Sequence, residues 1–89
     1  MNHKKFLSLI NLQHYEQYSF LNNLIFISLE YLSLNIPDYK MKNDLQKSLD
    51  ESTLFSEKQK HYIFQYLCFC LDSFDSTRLL RNLLRKVVI

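Results

Sequence analysis

The most regular pattern of apolar and polar positions lies at the end of the chain. In residues 76–88, Leu79, Leu80, Leu83, Leu84, Val87 and Val88 occupy one half of a helical wheel, and Arg78, Arg81, Asn82, Arg85 and Lys86 occupy the other. This predicts an amphipathic helix. Asp75 is placed as its N-cap, and Phe74 and Leu79 as the apolar pair that staples its first turn. The stretch just before it, Glu57–Asp72, is more apolar. At 100° per residue, Glu57, Lys58, His61, Gln65, Cys68 and Asp72 fall within about a quarter-turn of one another, and from Tyr62 onward the rest of the circumference is apolar or aromatic. A helix of that kind must be covered on several sides, which predicts a central helix of a small core. Ser56 and Gln59 form the capping-box spacing that starts it. Tyr, Ile, Phe and Cys at 62–71 also suit a strand, but the polar positions follow a 3.6 period and no partner strand is visible.

Residues 18–34 predict a second, largely buried helix and the natural partner of 57–72. Ser19, Asn22, Asn23, Phe26, Glu30 and Ser33 share its outer side. Pro37 disfavours helix in the residue before it, so the chain must leave the helix at Asn35-Ile36. Pro37 can then open the next helix, with Asp38 in its first turn. That helix, 38–51, has a thin apolar stripe of Met41, Leu45 and Leu49 and is expected to be peripheral and the weakest. A loop is expected at Asp50-Glu51-Ser52-Thr53. Residues 3–13 predict a short amphipathic helix around Phe6, Leu9, Ile10 and Gln13. No Gly or Pro marks where it would part from the next one. The expected fold is all-α: a single domain, 1–89, of four to five helices packed as a small antiparallel bundle.

Composition narrows the function classes. The chain has no Gly, where about six would be ordinary at about 7% usage, and no Ala or Trp. Without Gly there is no phosphate-cradling loop, and a nucleophile elbow lacks the neighbours its turn needs. That depletion, with eight Lys to three Arg, is what an AT-rich genome would produce. The net charge of +2 gives no strong global field, so attraction to nucleic acid or an anionic membrane would depend on how charge is distributed. The start, MNHKKFLSLINL, has a signal peptide's charged-then-apolar form. It lacks a small-residue cleavage site, however, and Gln13, His14, Glu16 and Gln17 follow directly. The apolar run 20–34 is interrupted by polar residues and falls short of the ~20 residues that span a membrane. A cytoplasmic, soluble protein is the expectation.

Candidate chemistry is sparse. Cys68 and Cys70 sit about 200° apart on a helix and cannot clamp one metal or close a disulfide without unwinding it. His61 and Cys68 share a stripe but are about 10 Å apart along the axis, too far for a shared zinc or a nucleophile–base pair. Glu16, Glu30, Asp38 and Asp44 show no paired-carboxylate spacing. No catalytic residue, metal or cofactor is expected. The strongest candidate is the basic face of the last helix. Arg78, Arg81 and Arg85, with Lys86, make a guanidinium stripe that can grip carboxylates or phosphates with paired bonds. The ordinary alternative is a solvated face with cations near a helix C-terminus.

These features suit a small non-catalytic protein that inhibits or neutralises a larger partner protein by covering a surface on it. An immunity or inhibitor protein from a phage or mobile element has this size and makeup. The expected contacts are the arginine stripe, the helix 38–51 with Asp44, Asp50 and Glu51, or both. The acidic group would suit a partner that normally binds nucleic acid, the arginines an acidic partner. The alternative expectation is a nucleic-acid-binding regulator that uses the last helix as a homodimer. A helical assembly subunit in a homo-oligomer comes third. A membrane role is not expected, because the last helix needs its apolar face for the core.

Overall fold

The computed structural model describes residues 2–87. It contains five helices: α1 (His3–Ile10), α2 (Tyr15–Ser33), α3 (Asp38–Glu51), α4 (Glu57–Asp72) and α5 (Ser76–Val87). No strand occurs among the described residues. The fold is all-α, as the periodicity predicts. The radius of gyration is 12.0 Å, close to the ~12 Å expected of a folded chain this long. Val88, placed in the last helix by its spacing, lies outside the described residues.

The helix boundaries follow from local chemistry. At the N-terminus of α4 the Ser56 hydroxyl accepts from the Gln59 N–H at 3.1 Å, and the Gln59 side-chain oxygen accepts from the Ser56 N–H at 2.9 Å. That is the predicted capping box. The Gln59 amide also donates to the Ile10 carbonyl at 2.8 Å, tying the end of α1 to the start of α4. The first helix stops at Asn11, whose φ of 49° is left-handed, so α1 and α2 are separate helices. Beyond it, the buried Gln17 side chain accepts from the backbone of Gln13 and His14 and donates to the Leu54 carbonyl. Asn35 ends α2 in the same left-handed way, with φ 56°. Ile36 N–H bonds Tyr31 C=O and Asn35 N–H bonds Leu32 C=O, the pair of bonds of a Schellman close. Pro37 is the residue before α3, and its carbonyl accepts from Lys40 and Met41.

Packing differs from the expected pairing in one respect. The principal partner of α2 is α5, not α4. The centre of the molecule is the α4–α5 pair: α5 packs on α1, α2 and α4, while α4 packs on α1, α3 and α5. The reason is α5's apolar half. Leu80, Leu83 and Val87 are fully buried, and α5 offers an uninterrupted apolar face for Leu21, Leu24 and Ile25 of α2 to share one core with. The links contribute core as well, through Leu12 and Phe55. The thin stripe of α3, Met41, Leu45 and Leu49, is fully buried. The helix spans the expected 38–51, so Asp50 and Glu51 form its last turn and not the start of the loop. Carboxylates in a last turn oppose the helix dipole. The Lys60 ammonium, which donates to the Asp50 carbonyl at 3.3 Å, offsets part of that.

Candidate binding face on the last helix

The apolar half of α5 faces the core, so its other half must face solvent. Arg78, Arg81 and Arg85 accordingly line one shallow depression of about 590 Å³, with Phe74, Asp75 and Asn82 among its other walls. Lys86 is exposed on the same helix. Arg78 donates to Asp75, whose own carbonyl receives the Leu79 N–H at the start of the helix. Among the described residues, Arg81 and Arg85 have no carboxylate within ion-pair distance.

Phe74 corrects the expected staple. Its side chain is fully exposed, at 106% of the reference value, and does not cover Leu79. It sits in the three-residue link Ser73–Asp75 between α4 and α5 and packs on neither helix. Sequence reasoning missed it as a surface residue. The available signal was its lack of a place on either helical wheel.

The acidic candidates do not join the arginines. Asp44 lies on α3 and is occupied within the molecule: it accepts from the Tyr31 hydroxyl at 2.7 Å and pairs with Lys40 at 3.8 Å. That bond, with lesser burial and charge effects, raises the Tyr31 hydroxyl above its ordinary pKa. Asp50 borders a hollow with Glu57, Lys60 and His61, and Glu51 borders another with Phe20, Asn23 and Ile27. Neither hollow shares a residue with the arginine depression. The stripe of His61, Gln65, Cys68 and Asp72 is an edge of α4. Asp72 accepts from Lys42 at 2.7 Å, and Lys42 reaches back to Asp38 at 3.0 Å. Those hydrogen bonds, Asp72's first, hold the Lys42 ammonium well above its ordinary pKa and fasten α3 to the end of α4.

Charge is segregated in a way the total conceals. Helices α1 and α5, which touch, carry Lys4, Lys5, Arg78, Arg81, Arg85 and Lys86 and no carboxylate. All nine carboxylates lie elsewhere in the chain, and so do the remaining five lysines. All three arginines are on α5.

Both cysteines are free. Burial pushes the Cys70 thiol up to about 11, and raises Cys68 as well, so neither is poised as a thiolate. Among the described residues, no three His, Cys, Asp or Glu side chains gather as a metal site would require. No helix among them is long and apolar enough to cross a membrane. Fold and site together define a small helical bundle with a basic, aromatic-tipped face. Comparison with known protein families, with curated proteins and with solved structures finds no match for this chain.

Proposed function

We propose that this chain is a small non-catalytic binding protein that neutralises a larger protein partner by covering a surface on it, with the outer face of α5 as the contact. The observation that carries this reading is Phe74, wholly in solvent at the head of Arg78, Arg81 and Arg85. Aromatic and arginine side chains are the types enriched where protein interfaces concentrate their binding energy. Burying a Phe side chain is worth about 1.5–3 kcal/mol, which a partner would recover here. An inhibitor or immunity role, a phage or mobile-element origin and a cytoplasmic setting belong to the same reading, supported by size and by the Gly- and Ala-free composition. The test is capture of the partner from the native host by tagged wild type, F74A and the triple variant R78A/R81A/R85A. The variants should keep the wild-type helical circular dichroism and lose at least about tenfold in affinity, or about 1.4 kcal/mol. Undiminished capture would move the contact to another face.

A second reading is favoured by the charge segregation: a nucleic-acid-binding regulator that uses α5 as a homodimer. Four phosphate contacts from Arg78, Arg81, Arg85 and Lys86 would give a log–log salt slope of about −3 to −4. Asp75 inside the face and a net charge of only +2 weigh toward a protein partner.

A further inference from the structure

Beside the arginine depression lie two smaller hollows on the α1–α4–α5 side. One, about 310 Å³, is lined by Asn2, His3, Tyr66, Phe69, Leu79 and Asn82. The other, about 200 Å³, is lined by Phe6, Tyr62, Gln65, Tyr66 and Phe69. Tyr66 and Phe69 belong to both and form the ridge between them, with ring centres 5.7 Å apart. Asn82 belongs to the first hollow and to the arginine depression, so the three adjoin one another. No carboxylate lines either hollow.

We infer that this side of the molecule receives an acidic amphipathic helix of the partner protein, with apolar side chains in the two hollows and carboxylates on Arg85 and Lys86. The inference rests on the α5 reading and extends it. Three observations select this occupant. Tyr66 and Phe69 line both hollows, so the two lie side by side and apolar side chains on one face of a single docking helix can enter both. The hollows are at or below the ~300–1,000 Å³ of small-ligand pockets, and each suits a single side chain. The rim supplies Arg85 and Lys86 with no carboxylate on α1 or α5 to compete for them, while Arg78 is already paired with Asp75.

Stacked bases, the other anionic and aromatic-seeking occupant, fit poorly. Base stacking needs free ring faces. Tyr66 is buried, lies flat on Phe6 at 4.2 Å and 14°, and has its hydroxyl engaged by His3. Phe69 is half exposed and stacks on Tyr66, and Phe74 is fully exposed in the arginine depression; no one hollow is lined by both, so successive bases would have no shared stack.

The experiment uses the full chain and three fluorescein-labelled probes: an 18-residue helical peptide with Leu at i, i+3, i+4 and i+7 and Glu on its other positions, the same peptide with Gln for Glu, and a 12-nucleotide thymidine strand. Anisotropy titrations are run on wild type, F69A, N82E and R78A/R81A/R85A. The acidic peptide is expected to bind wild type and to lose about tenfold or more in each variant, with the Gln peptide weaker throughout. Asn82→Glu keeps the test valid if Phe69→Ala disturbs packing, because it alters one side chain on the rim. Binding lost only in the triple variant would overturn the two-hollow site and leave the α5 reading standing. Binding unchanged in all three variants would overturn both. Equal affinity of the Gln peptide, no binding of the acidic peptide, or tighter binding of the thymidine strand would each overturn the proposed occupant.

Discussion

Asn11 and Asn35 show how a chain with no glycine ends its helices. Both take the left-handed backbone that Gly adopts most cheaply, and Asn is the residue that tolerates it next best. Replacing Asn35 by Val should cost about 1–2 kcal/mol in chemical denaturation, while Asn35→Gly should be neutral or slightly stabilising. Equal effects of Val and Gly would remove the backbone argument. The end of α2 was legible because Pro37 announces it. The end of α1 was not, since an Asn followed by Leu12 and Gln13 looks the same whether the helix stops or runs on. Phe74 was misread for a related reason: a staple and a solvent-facing ring share one spacing, and only the direction of the link decides between them. The thiols give a second residue-scale prediction. Cys70 is fully buried and Cys68 partly so. In native protein near pH 8, Cys68 should be alkylated first and Cys70 only on unfolding, read by peptide mass. Because burial raises the Cys70 pKa in the folded state, its stabilising share is intact below about pH 9 and is lost as pH rises toward about 11.

At the scale of elements, α5 has a buried side that carries stability and a solvent side that we propose carries recognition. Leu80→Ala or Leu83→Ala should destabilise by about 2–5 kcal/mol, whereas each of Arg78→Ala, Arg81→Ala and Arg85→Ala should change stability by no more than about 0.5 kcal/mol. Large losses from the arginine variants would make that face structural. The wheel made this division legible before any coordinates, because six apolar positions on one half of 76–88 leave the arginines no other direction. The role of α5 as hub was not legible, since a wheel gives the buried side of a helix but not which helix covers it. The small helix α1 is held by Phe6 on Tyr66 and by His3 Nδ1 on the Tyr66 hydroxyl. Burial lowers the His3 pKa and Lys86 lowers it further, against the Leu79 carbonyl, which raises it. The folded state therefore favours neutral His3. Its contribution is complete above the unfolded value of about 6.5 and is lost as pH falls through the lowered folded value. Thermal melts at pH 7.5 and pH 5 should show a larger acid-side loss for wild type than for His3→Gln. An equal loss would mean that His3 does not couple α1 docking to pH.

Over the whole molecule, the same net charge of +2 covers two unlike regions: α1 and α5 hold six cations and no carboxylate, and the rest holds the acids. Composition could only report the sum; the contact between α1 and α5, which are far apart in sequence, brings the two acid-free helices together. Spacing alone could not show that the acidic residues Asp44, Asp50 and Glu51 lie apart from the arginines, or that Tyr31 and Lys40 engage Asp44. The central claim is that α5 presents a protein-binding face tipped by Phe74. The most direct measurement is mild purification of the tagged chain from its native host, with the 260/280 nm absorbance ratio recorded and co-purifying proteins identified by mass spectrometry. The chain lacks Trp, so bound nucleic acid would stand out. The account predicts one protein in stoichiometric amount with a protein-like ratio, absent when Phe74→Ala is combined with R78A/R81A/R85A. A high ratio that collapses on a salt wash, with no protein partner, would contradict it.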